Sequence, residues 1–223
     1  MVSKRKRLSG CRLYLILDAQ VVPYARLFDL LKMSAQHGVD IVQLRDKLGT
    51  VRDALSFSRK AMAWLKGRIP FIVNDRVDVA LLSGADGVHL GQDDIPVTDA
   101  RRILGARAII GRSCQTMGHL KAAVAEGADY AGFGSVFKTL TKPGRLPMDP
   151  RLLTRAARFS DLNGYPVFMI GGISRANSNE VRACGVRRVA VCRDILLAKD
   201  ARVSVGEWRR ALACDSKLDM MRE

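Results

Sequence analysis

Short apolar runs alternate with segments of helical apolar spacing along nearly the whole chain. The runs fall at 12–17, 40–45, 71–73, 87–90, 108–111, 130–133, 166–170 and 188–192, each bounded by polar residues or glycine. That is the pattern of buried strands. Between them, Leu27, Leu30, Leu31 and Ala35 recur at helical spacing from Pro23 to the stop at Gly38. Leu55, Ala61, Met62 and Leu65 give an apolar side to a helix over 52–66, and Val77, Val79, Ala80 and Leu81 to a shorter one ended by Gly84. Further helices are expected from Pro96 to Gly105 and over 117–126, 151–160, 177–184 and 205–212. The segment 134–150 shows no periodicity and reads as a long functional loop.

About eight strands, each followed by a helix, predict an α/β fold, a single (β/α)8 TIM barrel. A doubly wound sheet is the alternative, but the first turn carries no GxGxxG. The expected organisation is a basic N-terminal tail at 1–11, a barrel at 12–213 and a frayed C-terminal tail at 214–223.

Parallel strands all end on one side, and barrel chemistry collects there. Phe71-Ile72-Val73 turns polar at Asn74 and Asp75, and the next strand, 87–90, is followed by acid at Asp93 and Asp94. Strand, helix and strand form one βαβ unit, so Asp75 and Asp94 meet at the carboxyl edge. Two carboxylates there repel unless a cation joins them, and hard oxygen ligands beside a phosphate suit Mg2+. Capping the following helix is the competing role for either residue.

The other strand ends contribute Gln43, Arg45 and Lys47, then Ser113, Thr139, Thr141 and Lys142, then Gly171, Gly172, Cys192 and Arg193. Gln43 and Arg45 flank Leu44 and share a face. Arg45, Lys47 and Lys142 would neutralise a polyanion. Gly171-Gly172 leaves amides open where barrels hold phosphate, and the segment from Thr139 to Lys142 suits a loop that closes over a charged substrate. No general base stands out: His37, His89 and His119 read as structural, and Cys114 has no evident histidine partner.

Composition narrows the choice. The 223 residues are 48% hydrophobic with both charge signs spread along the chain, which excludes general disorder. No apolar run approaches the roughly 20 residues that span a bilayer, and no signal peptide is read, so the expected location is cytoplasmic. Five cysteines without CxxC spacing read as reduced thiols. The net charge of +15 raises nucleic-acid binding as a rival. Only Lys4 to Arg7 form a dense run, however, and the 6% aromatic content offers no stacking surface. A basic surface that attracts anionic small molecules fits as well. Homo-oligomerisation stays open.

The rim residues carry a resemblance. Gln43-Leu44-Arg45-Asp46-Lys47, Val73-Asn74-Asp75, Gly91-Gln92-Asp93-Asp94, Thr139-Leu140-Thr141-Lys142 and Gly171-Gly172-Ile173 are similar, in order and spacing, to the motif series of thiamine phosphate synthases. That family sits within a broader superfamily with thiazole tautomerases. The resemblance spans about 12–213. It implies a barrel enzyme, a Mg2+-dependent transferase that joins a hydroxymethylpyrimidine diphosphate to a thiazole phosphate and releases diphosphate. It implies that Gln43, Arg45, Lys47, Asn74, Ser113 and Lys142 hold the pyrimidine diphosphate, with Arg45, Ser113 and Lys142 closest to the chemistry. Asp75 and Asp94 would hold Mg2+, and Thr139, Thr141, Gly172, Cys192 and Arg193 occupy the thiazole phosphate positions.

Three departures from the family pattern stand out. Cys192-Arg193-Asp194 stands where the family has a serine followed by alanine, Gln115 where it has a histidine, and Gly134-Ser135 where it has Gly-Pro, with Lys138 in place of a small residue or proline. A thiazole tautomerase-like enzyme is the nearest alternative, but it relies on that histidine and generally lacks the second acidic motif. A non-catalytic barrel that binds phosphate ligands or nucleic acid is the alternative from outside enzymology.

Overall fold

Eight parallel strands close on themselves in sequence order, β1 pairing with β2 and so on round to β8 against β1. The structure, a computed structural model, describes residues 8–139 and 147–213. The strands are β1 (Leu13–Asp18), β2 (Ile41–Arg45), β3 (Phe71–Asn74), β4 (Gly87–Leu90), β5 (Ile109–Cys114), β6 (Tyr130–Phe133), β7 (Val167–Ile170) and β8 (Val189–Val191). Helices α1 (Tyr24–His37), α2 (Val51–Leu65), α3 (Val77–Ser83), α4 (Val97–Leu104) and α5 (Met117–Ala125) follow the first five strands. Then come α6 (Pro150–Asn163), α7 (Ser178–Ala183), α8 (Arg193–Leu196) and α9 (Ala201–Ala213). The expected single (β/α)8 barrel is what the chain forms.

Local chemistry explains the element ends. Pro23 and Pro96 stand at the N-caps of α1 and α4, while Thr50 and Thr116 accept from the amides of Asp53 and His119. Asp149 caps α6 ahead of Pro150. Gly38 ends α1 with φ of 104°, a left-handed backbone that a side chain would strain. Two expectations shift. Strand β5 runs on through Ser113 and Cys114, because both pair with β6 at Gly132 and Phe133. The final helix begins at Ala201, and the four-residue α8 precedes it.

Side-chain parity divides the interior into two shells. Leu13, Leu15 and Leu17 of β1 face the helices and join the larger core, with Trp208 of α9 among its members. The alternate residues, Tyr14 and Ile16, face inward with Ile41, Ile72, Ile109, Tyr130, Phe168 and Ala190. Leu8 and Cys11, ahead of β1, are buried in this same inner cluster. At the strand starts, half-buried acids tie neighbours together. Asp40 accepts from the amides of Arg12 and Leu13, and Asp129 accepts from Ile110 while pairing with Arg101 at 2.7 Å. Stabilising contacts thus gather at one end of the barrel, leaving the other for the site. Among the described residues, no helix is long and apolar enough to cross a membrane.

Candidate active site

Inward parity also sets which side chains reach the carboxyl face. Tyr14, Ile16, Gln43, Arg45, Asn74 and His89 from the first four strands line one side of a cavity of about 460 Å3. Ser113, Gly132, Phe168 and Ile170 continue the wall, and Gly171, Gly172, Cys192 and Arg193 complete it with Thr139 and Lys138 from the loop after β6. Of the residues expected at the site, Gln43, Arg45, Asn74, Ser113, Thr139, Gly172, Cys192 and Arg193 meet here. Thr141 and Lys142 lie outside the described residues.

Arg45 does not stand alone at the rim. Its Nη1 donates to Asp18 Oδ2 at 2.7 Å, and Asp18 is only 1% exposed. The buried carboxylate fixes the guanidinium at the end of β2 and leaves its other N–H groups for a ligand. Gln20 Oε1 also accepts from the same nitrogen at 3.3 Å.

Lys47, Asp75 and Asp94 cluster beside the cavity rather than in its lining. Lys47 Nζ pairs with Asp75 Oδ2. Asp75 takes a left-handed φ of 61°, uncommon for a residue with a side chain, and its amide donates to the carbonyl of His89 at 2.8 Å. Asp94 Oδ2 accepts from the amide of Gly91 at 2.5 Å, which holds the turn after β4. The two carboxyls lie within hydrogen-bonding reach of each other. Burial first, then the nearness of Asp94, pushes the Asp75 carboxyl above its ordinary value, with Lys47 opposing. Among the described residues, no third acid, histidine or cysteine joins this pair. Two hard oxygen donors that destabilise each other fit a divalent cation that takes its remaining ligands from phosphate and water.

On the opposite side, Gly171 and Gly172 turn with φ of 103° and 66°. A Cβ on Gly172 would stand 2.6 Å from the carbonyl oxygen of Lys138 and 2.8 Å from Phe137 Cβ, so only glycine lets the two loops touch. Arg193 enters the cavity from the start of α8, and its Nε is buried without a hydrogen-bond partner among the described residues. Asp194, its neighbour, is committed elsewhere: Oδ2 accepts from Trp208 Nε1 at 2.7 Å and Oδ1 from the amide of Arg175 at 3.2 Å. Burial pushes the thiols of Cys192 and Cys114 up to about 12, so both stay protonated at neutral pH.

Sequence reading missed His89. Read as structural, it lines the cavity, with Nε2 at 3.0 Å from Ser113 Oγ and Nδ1 at 3.0 Å from the Tyr130 hydroxyl. The available signal was parity: Gly87 and His89 alternate with Val88 and Leu90, which face the helices.

Fold and site together define a (β/α)8 barrel whose carboxyl face holds a polar, cation-lined pocket with an acidic pair at its edge. The family model described as thiamine monophosphate synthase matches residues 13–195. The chain belongs to that family. A thiamine-phosphate synthase of Thermobifida fusca is 44% identical over 214 residues, covering 93% of this chain and 95% of that protein. One from Gloeobacter violaceus is 41% identical over 197 residues, covering 88% of this chain but 56% of its own length. The chain thus spans little more than half of several curated relatives that it matches. Among solved structures, thiamine phosphate pyrophosphorylase from Pyrococcus furiosus superposes with a TM-score of 0.80 at 31% identity, covering 94% and 97% of the two chains.

Proposed function

We propose that the chain is a thiamine-phosphate synthase. It would join the pyrimidine methylene carbon to the thiazole ring nitrogen and release diphosphate. The observation that carries this reading is a pocket with two anion-binding sides. Arg45, Asn74 and the adjoining Lys47–Asp75–Asp94 cluster lie on one side, and Gly171, Gly172 and Arg193 on the other. Likeness to the Thermobifida fusca protein over nearly its full length supports the assignment.

The bond changes suit such a pocket. The carbon–oxygen bond to diphosphate breaks with its electron pair leaving on oxygen, and the aminopyrimidine stabilises the cation left behind. The thiazole nitrogen then donates its lone pair to that carbon. No proton moves, so the residues supply position and charge complementarity instead of a base. Arg45, braced by Asp18, and Lys47 would meet the departing diphosphate, and Lys142 is assigned to the same group by its motif. Asn74, Ser113 and Gln43 would orient the pyrimidine. Gly172 amides, Thr139, Thr141, Arg193 and the neutral Cys192 would surround the thiazole phosphate.

Asp75 and Asp94 would hold Mg2+. When bound, the ion supplies positive charge that offsets charge gathering on diphosphate. The tautomerase reading is disfavoured by Gln115 and by the presence of Asp94. Free cysteines at 11, 114, 184 and 192 support a reducing, cytoplasmic setting.

The deciding experiment incubates the purified chain with both substrates and Mg2+ and follows thiamine phosphate and diphosphate. Both products should form in equal amounts. Binding of either substrate without turnover would overturn the assignment.

A further inference from the structure

Along the cavity floor runs a continuous chain of hydrogen bonds contributed by five strands. Gln43 Nε2 donates to Tyr14 Oη at 2.6 Å, and the Tyr14 and Tyr130 hydroxyls are 2.8 Å apart. Tyr130 Oη lies 3.0 Å from His89 Nδ1, and His89 Nε2 lies 3.0 Å from Ser113 Oγ. Both ends of this chain, Gln43 and Ser113, line the cavity. Its middle is closely packed, although Tyr14 and His89 also border the cavity: Tyr14 is 2% exposed and Tyr130 is fully buried.

We propose that Tyr14, Tyr130 and His89 are positioning residues that fix the hydrogen directions at the site, making Ser113 a donor and Gln43 an acceptor toward the ligand. The direction follows from the amide of Gln43, which turns its nitrogen toward Tyr14. An amide nitrogen only donates, so Gln43 fills the acceptor side of Tyr14. The Tyr14 hydrogen then points to Tyr130, and the Tyr130 hydrogen points to His89 Nδ1. That nitrogen is therefore bare, and the imidazole carries its hydrogen on Nε2. Nε2–H donates to Ser113 Oγ, which turns the serine hydrogen away from His89. At the other end, Gln43 has committed an N–H inward and keeps its carbonyl oxygen for the cavity.

Burial gives the order its persistence. Desolvation raises both phenols well above their ordinary range, so neither loses the hydrogen it passes along. An imidazolium would donate from Nδ1 into Tyr130 as well, leaving the hydrogen of the fully buried Tyr130 facing a donor. Phe168 packs edge-on against both tyrosine rings, at 5.2 and 5.8 Å, and restricts their movement. Glycine supplies the room. A Cβ at Gly111 would overlap the Tyr130 ring and stand 2.5 Å from His89 Nδ1, and one at Gly132 would lie 3.1 Å from His89 Cε1.

The fixed order selects a ligand ring by its hydrogens. An amino group can donate to Gln43 while a ring nitrogen accepts from Ser113. An oxo group with a protonated ring nitrogen presents the opposite pattern and is refused at both ends. The identity of the ring rests on the synthase reading above; the hydrogen order does not.

The test uses the whole chain labelled with nitrogen-15 on histidine, without substrate. His89 signals, assigned by their loss in His89→Gln, should show hydrogen on Nε2 and a bare Nδ1. In Gln43→Glu the carboxylate accepts from Tyr14, the whole order reverses, and hydrogen should move to Nδ1. In steady-state assays, Tyr130→Phe should raise the KM for the pyrimidine diphosphate roughly tenfold and leave that for the thiazole phosphate unchanged. Tyr14→Phe breaks the order at a second point and should do the same; it stands in if Tyr130→Phe does not fold. Hydrogen on Nδ1 in the wild-type chain, or unchanged pyrimidine KM in the folded variants, overturns the proposal. A correct tautomer in a chain that forms no thiamine phosphate would sink the synthase reading and leave the hydrogen order standing.

Discussion

Asp194 gives its carboxylate to Trp208 and not to Arg193, the cation beside it in sequence. The indole N–H meets Oδ2 at 2.7 Å, and the backbone amide of Arg175 occupies Oδ1. Arg175 in turn lies over the Trp208 ring at 5.3 Å. The anion that sequence proximity would pair with Arg193 is thus used to lock α9 against the loops after β7 and β8.

Arg193 consequently keeps its charge for the cavity. Arg193→Ser is expected to raise the KM for the thiazole phosphate about tenfold or more, the scale of a lost charge-assisted hydrogen bond. The KM for the pyrimidine diphosphate should not change. Initial rates with each substrate varied in turn will check this, and equal loss for both would remove Arg193 from the phosphate pocket.

Trp208→Phe keeps the packing of the ring but removes its N–H. Asp194 Oδ2 then lacks its donor in a half-buried position. Stability should fall by about 1–3 kcal/mol, measured by urea unfolding, and the thiazole KM should rise as Arg193 gains a competing partner. Wild-type kinetics in a destabilised protein would show that the two residues act separately.

The acidic pair gives a prediction with a definite sign. Because the folded state raises the Asp75 carboxyl above its ordinary value, the native protein holds that proton more tightly than the unfolded chain. Its contribution is greatest below the unfolded value of 3.8 and is lost as pH rises through the raised folded value. At neutral pH the pair is therefore a cost. Asp94→Asn removes the repulsion, keeps an acceptor for the Gly91 amide, and should stabilise the chain by on the order of 1 kcal/mol while abolishing most activity. Mg2+ should raise the melting temperature of the wild-type protein and not of this variant. Equal melting temperatures with and without Mg2+ in the wild type would refute the metal assignment.

Gly111→Ala tests the packing under the floor. The new methyl meets the Tyr130 ring and His89, both buried. Overpacking of this kind typically costs about 1–3 kcal/mol, to be read by thermal unfolding. Activity should fall further than stability, because Ser113 loses its partner's position. Full activity at wild-type stability would mean that the floor yields without consequence.

The barrel was legible because it rests on local signals: apolar runs, helical spacing and the residues at helix ends. The rim was legible for the same reason, since parity within one strand places Gln43 beside Arg45 and strand ends place Asp75 near Asp94. What stayed hidden depends on partners distant in sequence. Asp18, in sequence no more than the polar residue after the run 12–17, is the brace for Arg45 across 27 positions. His89 gained its role through Tyr130, 41 positions on, and Ser113, 24 positions on. The fate of Arg193 turned on a tryptophan whose place in the outer shell no rim motif marks.

The two bare backbone positions on β5 and β6 have a consequence for how this floor can change by descent. Each is filled by a ring borrowed from another strand, so a methyl at 111 is tolerable only after Tyr130 has shrunk. A Tyr130 shrunk below its hydroxyl would already have broken the link between Tyr14 and His89. Substitutions at positions 89, 111, 130 and 132 are therefore expected to act together, because a change at one moves the rings that fill the space of the others.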